Sequence, residues 1–270
     1  MQCMLKSIFV FLLFVFIASS SLAVSRKVCP VVDATDGILL GGSVDGRWSQ
    51  DSEIAHLMKG GEKYKLYTLT KYIGESIGSK PEEEEIGGYG VDIDSVPKVS
   101  EHVIGISSKW NAMPRVPRVQ SVIQKTYIEV VRRFLQGEGI RNPKVNVTQV
   151  IRVDLEGDGT DEVLISATVG RKGYGELPEV RATAGDYSVV LMRKLINGSV
   201  ATLCLDSQIH SKPEIGKIPD KFYIPAILDF NGDGIMEVAV SWRYYEGHGV
   251  NVYSVKGRTV KPVIGGGWGV

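Results

Sequence analysis

Apolar positions along this chain fall mostly in short runs, either alternating with polar residues or as continuous β-branched stretches. Both patterns predict strands. Residues 63–73 are rich in Tyr, Leu, Thr and Ile, and Ile38-Leu39-Leu40 is a further short strand. Residues 187–193, 199–205, 237–245 and 250–255 are runs of Val, Leu, Ala, Trp and Tyr with few charges. Turn pairs punctuate them: Asp36-Gly37, Gly41-Gly42, Asp45-Gly46 and Asn197-Gly198. Asp-Gly and Asn-Gly favour tight hairpins because both central residues take positive φ there. One long stretch departs from this period. Over 119–137 the residues Val119, Val122, Ile123, Tyr127, Val130, Val131, Phe134 and Leu135 form one helical stripe, closed by Gly137 and Gly139. That stripe is expected to pack on a sheet. A short helix is expected near 53–58, started by Asp51 or Ser52 and stopped by Gly60-Gly61.

The expected fold is therefore mainly β with one long amphipathic helix (119–137), arranged as a partial β-propeller or as paired antiparallel sheets. The chain divides into residues 1–23, an N-terminal β-rich region at 24–118, and a helix plus β-rich region at 119–270. The tail, Gly265-Gly266-Gly267-Trp268-Gly269, reads as irregular. The Gly-rich stretch at 170–185 reads as an exposed loop or functional rim.

Two features place the protein outside the reducing cytoplasm. Lys6 precedes an apolar run at 8–18, and Ser21-Leu22-Ala23 offers small residues at −3 and −1 of a cleavage site. The run is shorter than the roughly 20 residues a bilayer span needs. Residues 1–23 therefore read as a signal peptide, with a secreted, periplasmic or cell-surface product and no membrane insertion after cleavage. Export leaves Cys29 and Cys204, and in an oxidising compartment a bridge between them is expected, with two buried thiols as the alternative. Asn146-Val147-Thr148 and Asn197-Gly198-Ser199 are glycosylation triplets that matter only in a host that glycosylates. Net charge is zero, so nothing points to nucleic acid as a partner.

The chemistry lies in a stretch used twice. Residues 150–166 and 226–241 each run from an apolar strand through Asp, an apolar residue, an acid or amide, Gly-Asp-Gly, two free positions and Glu, into a second apolar strand. Calcium takes roughly six to eight hard oxygen ligands in flexible geometry. Acids at alternate positions of a tight loop supply such ligands. In the first copy they are Asp154, Glu156, Asp158, the carbonyl of Thr160, and Glu162. In the second they are Asp229, Asn231, Asp233, the carbonyl of Ile235, and Glu237. The second set has one fewer formal charge, so it is expected to be the weaker site. The competing account makes each Gly-Asp-Gly an ordinary hairpin turn.

The repeated pattern resembles the calcium loops of FG-GAP/VCBS-type repeats, found in integrin-like β-propeller blades and in secreted bacterial surface proteins of unassigned function. The resemblance covers about 145–170 and 220–255. It implies Ca2+ as cofactor and export, and it supplies no catalytic residue. Two motifs about 75 residues apart are too few for a propeller with a loop in every blade, and Glu156 is longer than the usual residue at its place.

The expected function is a secreted calcium-binding β-rich module that recognises an extracellular ligand, a glycan or a surface protein. The alternative is an extracellular hydrolase or lyase acting on polysaccharide with structural calcium. The sequence contains no Gly-x-Ser-x-Gly elbow and no His-Glu-x-x-His pair, and its histidines, His56, His102, His210 and His248, are scattered. Glu246 with His248 is the best-placed acid–base pair.

Overall fold

The computed structural model describes residues 26–269 apart from 86, 171–180, 218 and 245. The expected signal segment and most of the Gly-rich loop at 170–185 lie outside the described residues. An N-terminal sheet takes β1 (Val28–Asp33), β2 (Ile38–Val44), β3 (Arg47–Ser49), β4 (Lys63–Tyr67), β5 (Tyr72–Ile77), β6 (Glu82–Glu83), β7 (Tyr89–Gly90) and β8 (Ile104–Ile106). Its order is β5-β4-β8-β1-β2-β7-β6, with β3 paired to β2. An outer sheet takes β9 (Arg118–Val119), β10 (Val147–Val153), β11 (Glu162–Val169), β13 (Asp186–Ile196) and β14 (Ser199–His210), ordered β14-β13-β11-β10-β9. A small ladder joins β12 (Arg181–Ala182) to β15 (Glu214–Ile215). The last sheet is a meander of β16 (Tyr223–Leu228), β17 (Glu237–Arg243), β18 (Gly247–Lys256) and β19 (Thr259–Gly269). Two helices complete the chain, α1 (Asp51–Leu57) and α2 (Lys125–Gly137).

The last sheet is the centre of the molecule because both its faces are apolar. Ile227, Val238, Val240 and Val255 pack on Ile151, Leu164, Val190 and Met192 of the outer sheet. Ala226, Leu228, Ala239 and Val252 pack on Val31, Ile38, Leu40 and Ile104 of the N-terminal sheet. Successive residues on a strand point to opposite faces, so Val238, Ala239 and Val240 serve two cores in turn. This is why these strands read as unbroken apolar runs. The outer faces of the other two sheets are covered by helices. Ile54 and Ala55 of α1 pack on Val32 and Leu39. Val131 and Leu135 of α2 pack on Val150, Ile165 and Leu191. The layers run α1, N-terminal sheet, central sheet, outer sheet, α2, and the sheets close no barrel. Among the described residues no helix is long and apolar enough to cross a membrane.

Three sequence expectations change. The short helix expected near 53–58 is α1, but the long one is shorter than expected, since α2 begins at Lys125. The first member of the apparent stripe, Val119, pairs instead with Ile151 on the open edge of β10, after the proline-punctuated segment before it has held the chain extended. Val119 and Ile123 are 60% and 79% exposed, off the helical core. The Gly-rich tail is not irregular but is the edge strand β19. Its glycines let the central sheet approach the N-terminal sheet closely, since a Cβ on Gly266 would stand 2.7 Å from the Leu39 carbonyl oxygen.

The expected bridge is absent: Cys29 and Cys204 are free thiols. Cys29 is on β1 and Cys204 on β14, with the central sheet between their two layers, and packed sheets stand about 10 Å apart. Burial raises both thiols above their ordinary range, which keeps them protonated and unreactive. Reductant should leave the melting temperature of the protein unchanged. A bridge closing so long a loop would instead contribute about 4–5 kcal/mol and make melting strongly reductant-dependent.

Candidate metal centre

The two repeated stretches occupy equivalent places. The first loop joins β10 to β11 and the second joins β16 to β17. Each is a hairpin connection between consecutive antiparallel strands. Their internal bonding is also equivalent. Asp154 accepts the N–H groups of Gly157 (2.6 Å) and Gly159 (2.8 Å), and Asp229 accepts those of Gly232 (2.7 Å) and Gly234 (3.0 Å). Asp158 accepts from Thr160, and Asp233 from Ile235, each at 2.8 Å. Glu162 accepts from Leu155 at 3.0 Å and Glu237 from Phe230 at 3.1 Å. Gly157, Gly159, Gly232 and Gly234 all have φ between 74° and 88°, the left-handed region that a side chain disfavours. Glycine is thus needed at two places in each loop.

The apolar residue after the first aspartate of each loop is an anchor. Leu155 enters the core between central and outer sheets, and Phe230 the core between central and N-terminal sheets. The segment between β8 and β9 straps the loops together. The Arg115 guanidinium donates to the carbonyls of Asp154 (2.6 Å) and Leu155 (2.7 Å) in the first loop and of Gly234 (2.8 Å) in the second. Trp110 donates from Nε1 to the Asp229 carbonyl at 2.8 Å, with its ring against Gly232. The two loops therefore share one rim of the stack, bridged by a single guanidinium. The proline-punctuated stretch 110–118 carried a Trp and an Arg in sequence, but nothing there indicated what they hold.

Electrostatics separate the copies. In the first loop, Nζ of Lys194 lies 2.6 Å from Glu156 and 2.8 Å from Glu162. Lys194 and Glu162 are each only 3% exposed. Burial would lower the Lys194 ammonium, but the two glutamates outweigh it and hold it above its ordinary range. Burial likewise would raise Asp154, yet backbone N–H groups and Arg115 hold it below the usual carboxylate range. The first loop therefore carries its own cation.

Among the described residues no lysine or arginine pairs with the carboxylates of the second loop. Val163 pairs with Arg193, which sets Lys194 level with Glu162; in the central sheet Val238 pairs with Tyr253, which sets neutral Ser254 level with Glu237. Glu237 is 2% exposed and its carboxyl is pushed up to about 9 by burial, with the charges of Asp233 and Asp229 adding to it. Burial also raises Asp229. Asn231 donates to Asp233 Oδ2 and accepts the Asp233 N–H, both at 3.0 Å, which leaves its amide oxygen a second lone pair.

The structure therefore brings Glu156 and Glu162 together through Lys194, and Asn231 together with Asp233. It gathers no three carboxylates of either loop within 4.8 Å of one another; among the described residues that condition is met only by Asp33, Asp36 and His102. Of the acid–base pair considered from sequence, His248 faces Asp36 at 3.5 Å and stacks edge-on with Trp268.

Fold and site together define a class: a mainly β protein of stacked antiparallel sheets, with two geometrically equivalent acidic hairpin loops on one rim, one lysine-neutralised and one not. Comparisons with protein-family models, curated proteins and solved structures return no match to this chain.

Proposed function

We propose that this is a secreted, calcium-stabilised β-rich recognition module whose calcium site is the second loop. Asp229, Asp233 and Glu237 would supply the carboxylates, Asn231 its side-chain oxygen, and Ile235 its carbonyl. The first loop, with Asp154, Glu156, Asp158, Thr160 and Glu162, is a copy in which Lys194 stands in for the ion. One observation supports this most: among the described residues Glu237 and Asp229 are buried with no side-chain cation paired to them, where the equivalent Glu162 has Lys194. Without a cation the buried Glu237 carboxyl keeps its proton, and a hard divalent ion with an all-oxygen donor set would take that proton's place. This reverses the order of affinity expected from formal charge alone. The stacked sheets, each carrying such a loop, also support reading the central and outer sheets as two blades of a partial propeller of the FG-GAP/VCBS kind. On this proposal calcium holds the rim bearing Trp110 and Arg115, and the ligand is an extracellular glycan or surface protein.

Calorimetric titration should find one dominant calcium site. Asp229→Ala should remove it and Asp154→Ala should leave it. At 100 times the dissociation constant, calcium should add about 2.7 kcal/mol of stability by mass action, and a chelator should abolish the gain. Identical melting in calcium and chelator, or two equal sites, overturns the proposal. A glycan and surface-protein binding screen with and without calcium addresses recognition, and released products would favour a hydrolase or lyase.

A further inference from the structure

A second centre, independent of the loops, lies where the N-terminal and central sheets meet. Asp33 ends β1, and its Oδ1 accepts the N–H groups of Thr35 (3.1 Å) and Asp36 (3.3 Å), which fixes the carboxylate at the head of the β1–β2 turn. His102 precedes β8, and the pairing of Asp33 with Ile104 brings its ring alongside. Nε2 of His102 stands 2.7 Å from Asp33 Oδ1. The contact is close but misaligned for a hydrogen bond. Asp33 Oδ2 and His102 Nε2 are both buried without a hydrogen-bond partner among the described residues. Asp36 completes a set whose ligand atoms all lie within 4.8 Å of one another. Around a tetrahedral zinc with ligands at roughly 2.0–2.2 Å, ligand atoms stand about 3.3 Å apart, so the Asp33–His102 contact would open slightly and Asp36 would draw in.

We infer that Asp33, Asp36 and His102 bind a divalent transition-metal ion of the zinc class. Three features favour this over a simple buried ion pair. First, the Asp33 side chain is only 1% exposed and that of His102 9%, yet Asp33 Oδ2 has no hydrogen-bond partner among the described residues and His102 Nε2 has only the Oδ1 contact, which is costly unless something fills the site. Second, the far nitrogen of His102 is already held: Nδ1 lies 2.6 Å from the Tyr223 hydroxyl on the central sheet. With Nδ1–H donating to that oxygen, the Nε2 lone pair is left for the ion, the outer-shell arrangement that orients ligating histidines. Third, Nε2 of His248 also lacks a hydrogen-bond partner among the described residues and stands 3.5 Å from Asp36 Oδ2. It thus lies beside the most exposed of the three ligands, where a water or a fourth ligand would sit.

The donor set decides the ion. An imidazole nitrogen with two carboxylates suits zinc and its first-row neighbours, whereas calcium takes oxygen. Three protein ligands with an accessible fourth position form an open centre rather than a closed structural one. Arg243, 4.0 Å from Asp36 Oδ2, borders that opening.

The test uses the signal-cleaved full chain with saturating calcium, so that the loops do not compete, and Co2+ as the spectroscopic probe. One equivalent of Co2+ should give the visible absorption of a four- or five-coordinate site and be displaced by Zn2+. His102→Asn and Asp36→Asn should each weaken binding at least about tenfold, and Tyr223→Phe about 10–100-fold through the outer shell. Asp229→Ala should leave the Co2+ spectrum unchanged. Asp36 sits on a turn and is the most exposed of the three, so its variant should keep the melting temperature of the chelated parent and separates lost binding from lost folding. No Co2+ band and no heat of Zn2+ binding in the parent, or unchanged affinity in both ligand variants, overturns the inference and leaves Asp33, His102 and Tyr223 a structural chain.

Discussion

Replacing Lys194 with Met should cost the calcium-free protein about 3–5 kcal/mol, the penalty for stranding a buried ion-pair partner. The substitution keeps the apolar stem and removes the ammonium. Glu162 is then left at 3% exposure with no cation, and Glu156 loses its contact. The lower end of the range is the better expectation, because the Glu156 side chain is 32% exposed and water replaces part of what it loses. Urea unfolding in chelator reads the loss directly as a shift of midpoint with unchanged slope. The same variant tests the relation between the loops. Without the ammonium the first loop has the charge arrangement of the second, so Lys194→Met should acquire a calcium site that the parent lacks. Calcium should then restore most of the lost stability. A variant as stable as the parent in chelator, or one that gains no calcium binding, would show that Lys194 is not the resident cation.

Phe230→Ala should destabilise by about 3–5 kcal/mol, the range for removing a buried aromatic ring. Phe230 is fully buried between the central and N-terminal sheets, yet it belongs to the second loop rather than to a strand. Its backbone N–H also donates to Glu237 at 3.1 Å, so its packing fixes the residue that closes the loop. The variant should therefore weaken calcium binding as well, although no ligand is removed. Leu155→Ala at the equivalent place of the first loop should cost about 2–5 kcal/mol, with no effect on calcium. Urea midpoints and calorimetry on the two variants decide this, and a loss below about 1 kcal/mol for Phe230→Ala would contradict the anchoring role.

Much of the local geometry was legible along the chain. Asp45-Gly46 and Asn197-Gly198 do turn hairpins, with φ of 51° and 77° at the first pair and 51° and 76° at the second. The repeated motif marked both loops and gave their register, because an aspartate that caps the amides of two left-handed glycines is a short-range device. The stripe of α2 was legible from Tyr127 onward. The segment before it was not, because an open strand edge competes for the same residues and periodicity does not see edges. The final glycines were misleading for a related reason: without side chains they give no strand pattern, yet that lack is what lets two backbones approach.

What the sequence determined by itself is the conformation of each loop and the strand character on either side. Those depend on φ preferences, on hydrogen bonds within nine residues, and on which side chains favour a pleated surface. What only the tertiary structure decided is the balance of charge at each site. Lys194 lies 32 residues from Glu162 in sequence, and it reaches that carboxylate because the register of β11 and β13 sets them level. The same register in the central sheet sets Ser254 beside Glu237. His102 meets Asp33 only because β8 pairs with β1. Two loops with almost the same sequence thus differ in what they need, since the field at a buried carboxylate is set by whatever the fold packs against it, and that neighbour comes from elsewhere in the chain.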